Sequence, residues 1–91
     1  LGSTIDEVGY IYEQAKELMT EREQDYEGSW RREGMEAAIG ALYKKASQIQ
    51  TMFRNGRWKE NIPRFKEDCL DGQNYSVFCS RFIDIEISKQ E

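Results

Sequence analysis

The 91-residue chain carries 33% charged and 38% apolar residues, a balance that suits one small, helix-rich domain rather than a disordered segment. It has no histidine, which excludes the commonest general base and the commonest transition-metal ligand. Its two cysteines offer no zinc spacing and no Cys-His nucleophile pair. The net charge of −4 conceals a segregation: residues 1–30 sum to −6, residues 31–66 to +6 and residues 67–91 to −4. A basic middle within an acidic chain suits a local anion site. It does not suit a long nucleic-acid track, which the acidic remainder would repel.

Leu1-Gly2-Ser3 reads as a cloning remnant and is given no weight. Thr4-Ile5-Asp6-Glu7 then fits a capping box. Ile5, Val8, Ile11, Tyr12, Ala15, Leu18 and Met19 keep helical spacing, so a first helix is predicted over residues 4–24. Asp25 to Trp30 (DYEGSW) interrupts the pattern, with Gly28-Ser29 as turn chemistry. A second helix is predicted over 31–54 from the stripe Met35, Ala38, Ile39, Leu42, Ala46, Ile49 and Phe53, ending at Asn55-Gly56. Nine of the 13 Lys and Arg residues fall between Arg31 and Lys66, so this helix reads as the element around which the chain is organised. Gly40, costly inside a helix, suggests a close helix approach.

Asn61 and Pro63 open a third helix, predicted over 62–87. Phe82 to Ser88 also alternates as a strand would, but no partner strand exists elsewhere in the sequence. The expectation is therefore an all-α chain, one domain spanning 1–91, folded as a three-helix antiparallel bundle. Two companions can cover one side of a central helix of about 24 residues, roughly 36 Å long, but hardly the whole, so homo-oligomerisation is expected to complete the core. Cys69 and Cys79 are too far apart on one helix to bridge and read as free thiols of a reducing cytoplasm. No run is apolar enough for a membrane span and none reads as a signal peptide, so no membrane partner is expected.

Asp71 falls within about 20° of Phe78 and Phe82 on the third helix, an acid at a core position. Burying it without a partner costs several kcal/mol, and Lys45, flanking the second helix's stripe, is the expected partner. That pair could serve a ligand or serve only the fold. Lys44 points away from the stripe and reads as a surface residue. Trp30, beside Arg31, and Trp58, beside Arg57 and Lys59, suit base stacking next to phosphate contacts, or else capping of the bundle.

DYEGSW at 25–30, the lysine of KKASQI at 44–49 and EDCLDGQNY at 67–75 together resemble the nucleotide modification associated domain 1 family of phage and bacterial proteins. The similarity spans Asp25 to Phe82. The family's characteristic positions fall on Asp25, Tyr26, Ser29, Trp30, Lys45, Asp71, Asn74 and Tyr75. More remotely, Asp68-x-x-Asp71 with Tyr75 resembles an acidic motif of the all-α nucleoside-triphosphate pyrophosphohydrolases of the MazG type, which hold Mg²⁺ with carboxylates from two helices. The resemblance implies a nucleotide or nucleotide-derived ligand in the cytoplasm of a bacterial host. The leading expectation is binding or sequestration of a nucleotide immune signal without turnover and without a cofactor, through Asp25, Trp30, Arg31, Lys45, Arg57, Trp58, Asp71, Asn74 and Tyr75. The alternatives are a Mg²⁺-dependent pyrophosphohydrolase holding the metal with Glu67, Asp68 and Asp71, and a ligand-free structural or adaptor bundle.

Overall fold

A computed structural model of the chain describes residues 2–22 and 29–90. It contains three α-helices, α1 (Thr4–Glu21), α2 (Ser29–Arg54) and α3 (Ile62–Gln90), with a 3-10 turn at Arg57–Glu60. No strand occurs among the described residues, and the stretch from Phe82 to Ser88 is helical.

Local chemistry explains the ends of these helices. The cap of α1 is Ser3, one residue before the expected Thr4. Its backbone is extended (φ −134°, ψ 166°) and its Oγ accepts from the Asp6 amide at 3.2 Å. The helix stops at Glu21, short of the predicted residue 24, and the Arg22 amide closes it by donating to the carbonyls of Leu18 and Met19. Helix α2 ends as anticipated: Gly56 takes φ 77°, a left-handed conformation open to glycine, and its amide donates to the Phe53 carbonyl. Asn61 caps α3 by accepting from the Arg64 amide at 3.2 Å. That helix runs to Gln90, beyond the predicted Ile87.

Two expectations about α2 need correction. It starts at Ser29 rather than Arg31, and it is interrupted at Gly34 (φ 88°, ψ 177°), where the backbone leaves helical geometry. A single turn carrying Trp30 therefore precedes a continuous helix from Met35 to Arg54. Gly40 does not mark a close approach, since a Cβ built there meets nothing within 4 Å. The buried glycine is Gly72 of α3, beside the Lys45 Cβ.

The hub is α3, not the central helix. Both other helices pack on it, and among the described residues no Cα atom of α1 lies within 8 Å of one in α2. Helices α2 and α3 form an antiparallel hairpin, seen in the pairing of Trp30 with Phe82, Lys45 with Asp68, and Phe53 with Phe65 through Trp58. Helix α1 is not part of that antiparallel array. Its contacts from Tyr10 to Arg22 all land between Lys66 and Asn74, so it lies across α3. The molecule measures 47 × 31 × 24 Å, its long dimension close to the roughly 43 Å of a 29-residue helix.

Packing is thin and layered. Ala15 and Leu18 meet Leu70 where α1 crosses, with Ile11 half-buried beside them. At the open end of the hairpin Trp30 stacks on Phe78 with ring centroids 4.7 Å apart, and Phe82 meets it edge-on. At the turn end Trp58 lies between Phe53 and Phe65. Between these aromatic ends lies a layer of charge.

Candidate functional site

The charged layer draws on all three helices. Successive positions on one face of α3 present Glu67, Asp68 and Asp71, with Asn74 a turn further on. Lys45 enters from α2, and Arg22 from the residue that closes α1. The Arg22 Nη1 donates to both carboxylate oxygens of Asp71 at 2.7 Å, and its Nη2 donates to Glu67 Oε2 at 3.2 Å. The Lys45 Nζ donates to Asp68 Oδ1 at 3.0 Å and lies 3.5 Å from Asp71 Oδ2. Arg64, one turn before Asp68, reaches within 3.9 Å of both Glu67 and Asp68. The Asn74 amide donates to the Ala15 carbonyl at 3.2 Å and so ties α3 to α1.

Burial grades across the layer. Asp71 and Asn74 are 3% exposed and Asp68 is 6% exposed, whereas the Glu67 and Arg64 side chains are 42% and 58% exposed. The network is dry around Asp71 and wet along the edge formed by Arg22, Glu67 and Arg64. Among the described residues three bases face three acids, and no buried side-chain nitrogen or oxygen lacks a hydrogen-bond partner. Next to Asp68, desolvation and then the Asp68 charge push the Cys69 thiol above its ordinary pKa. Both cysteines are free thiols.

The expected meeting of Asp71 with Lys45 is present, with the partners redistributed. Lys45 lies closer to Asp68, and the short contacts to Asp71 come from Arg22. Arg22 escaped the sequence reading although it carries the same signal that exposed Asp71. It continues the stripe Ile11, Ala15, Leu18 at the next helical interval, a charge at a core position. Asn74 is buried in the same layer, but Tyr75 is not: it is half-buried and meets Phe78 edge-on in the aromatic end.

The remaining candidates do not join this layer. One face of Trp30 is covered by Phe78, and the Arg31 guanidinium lies 5.0 Å from its ring centre. Arg57 is exposed at the turn and pairs with Glu60 at 3.5 Å, while Trp58 is packed between rings with Lys59 alongside. Those two lie about 12 Å along α2 from Lys45, as the eight residues from Lys45 to Phe53 imply. They therefore do not share a chamber with Asp71. Asp25, Tyr26 and the Ser29 side chain lie outside what the structure describes. Glu67, Asp68 and Asp71 do share the layer, but they are engaged by Arg22 and Lys45. No group of three or more acids or cysteines placed to hold a metal occurs among the described residues. No described helix is long and apolar enough to cross a membrane. No protein-family model, curated protein or solved structure matches the chain.

Proposed function

We propose that this chain is a nucleotide-binding protein that holds its ligand without hydrolysing it, and that the phosphate enters the charged layer by the edge formed by Arg22, Arg64 and Glu67. The observation that carries the reading is the burial of Asp68, Asp71 and Asn74 in so small a core. The buried apolar residues beside them are Ala15, Leu18, Ala38, Leu70 and Phe78. A buried ion network is a poor device for stability, because well-packed apolar groups of similar volume often serve better by about 1–4 kcal/mol. Charge kept there against that penalty supports a role in recognition. Glu67, the most exposed of the three acids and held at the longest distances, is the group an incoming phosphate displaces from Arg22 and Arg64. Guanidinium groups suit that exchange, since their planar fork accepts phosphate as readily as carboxylate. The resemblance through Lys45, Asp71, Asn74 and Tyr75 points to the same ligand class. A phage protein of this kind would sequester a nucleotide signal of its host.

A thermal-shift panel of mono-, di- and trinucleotides and cyclic dinucleotides, with and without Mg²⁺, tests it. A ligand present at one hundred times its dissociation constant adds about 2.7 kcal/mol. For a chain of this size that raises the melting temperature by about 10–20 °C. Lys45→Ala and Arg64→Ala should both weaken the shift. Silence across the panel favours the ligand-free bundle, and Mg²⁺-dependent release of pyrophosphate favours the hydrolase.

A further inference from the structure

A second feature is independent of the charged layer. Ala38, Lys45 and Met52 recur every seven residues on the flank of α2 turned towards α3. Ile39, Ala46 and Phe53 are the next residue in each case, about 100° further round the helix. This second line is bare: Ile39 is 49% exposed and Phe53 62% exposed, Ala46 is exposed, and Tyr43 beside it is 74% exposed. Leu42 and Ile49, between the two flanks, are half-buried. The apolar stripe of α2 is thus half covered, and α1, lying across α3, does not reach it.

The size of the molecule says how much cover is missing. A compact chain of 10.7 kDa exposes about 5,500 Å², against 6898 Å² here. Its radius of gyration is 14.8 Å, where about 12 Å is usual for this length. A standard dimer interface removes about 800 Å² from each partner, so the surplus is large enough to supply one.

We propose that the cover is the same face of a second copy, with the two α2 helices packed antiparallel across a two-fold axis near Ala46. The stripe is self-complementary about that residue. Ile39 lies seven positions before it and Phe53 seven after, so an antiparallel pair sets Ile39 of one copy against Phe53 of the other. Tyr43 and Ile49, three positions either side, meet in the same way. The small side chain of Ala46 lets the helices approach at the axis. Charge within the continuous helix that follows Gly34 favours the same direction: Glu36 stands near its start and Arg54 at its end, so antiparallel packing brings these unlike charges together. The interface is isologous and closes at two copies.

Light scattering coupled to size exclusion should give twice the 10.7 kDa chain mass at micromolar concentration. Ala46→Glu, a change at a surface position of the single chain, should give 10.7 kDa with unchanged helical circular dichroism. With Cys69 and Cys79 replaced by serine, Ala46→Cys should oxidise to a disulfide-linked dimer, because a residue on the axis faces its own copy, and Lys44→Cys should not. A monomeric wild type overturns the proposal. So does a dimer that survives Ala46→Glu, or cross-linking no stronger at 46 than at 44. These readouts involve no nucleotide and stand apart from the ligand panel.

Discussion

At Asp71 the chain concentrates its electrostatic risk. The carboxylate is 3% exposed and rests on Arg22 and Lys45, so truncation removes the 2.7 Å contacts of Arg22 and the 3.5 Å contact of Lys45 from a buried position. Asp71→Ala should cost about 3–5 kcal/mol, the range for breaking a buried pair. Arg64→Ala, which loses only contacts at 3.9 Å on a side chain 58% exposed, should stay within about 1 kcal/mol. Urea midpoints of the two variants check the order, and similar midpoints would deny the layer its graded burial. Asp71 and Lys45 were legible because each breaks an apolar stripe or flanks one. Arg22 is legible by the same rule, one helical interval beyond Leu18. Asp68 could not be found this way. It stands off the stripe by more than half a right angle, and only the position of Lys45 across the hairpin explains its burial.

Helices were legible where apolar spacing and turn chemistry agree, which fixed all three spans to within a few residues. The break at Gly34 was hidden because RREGME reads through as helix, and a glycine inside a pattern does not announce its sign of φ. Nor could the spacing identify the hub. Helix α3 is central through Asp68, Asp71, Gly72 and Asn74, small or polar residues that a hydropathy pattern scores as surface. Glycines offer the sharpest test of the helical description. Gly56→Ala forces a side chain to φ 77° and should cost about 1–2 kcal/mol. Gly40→Ala, in an open helical position with nothing near its Cβ, should stabilise by about 1 kcal/mol. Thermal melts of both variants should therefore move in opposite directions, and movement in the same direction would contradict the assigned backbone.

Across the molecule, stability is unevenly distributed. The hairpin is fastened at three levels, whereas α1 holds on by Ile11, Ala15, Leu18, the Asn74 hydrogen bond and Arg22. Regions with few buried contacts open first, so amide hydrogen exchange should be faster in α1 than in the middle of α3. The arm that lets go also takes a charge with it. With α1 docked, Arg22 donates to Asp71 and Glu67; once it lifts, those carboxylates lose that cation, while Lys45 stays with Asp68 and Asp71 and Arg64 near Glu67 and Asp68. Dissolved salt screens the attraction that holds such a half-exposed guanidinium in place. Raising sodium chloride should therefore hasten deuterium uptake in α1 more than in the middle of α3, and an unchanged ratio would show that Arg22 does not hold the arm down. In that arrangement the first helix acts as a tethered counter-ion, and its docking equilibrium decides whether Asp71 and Glu67 greet a guanidinium or water.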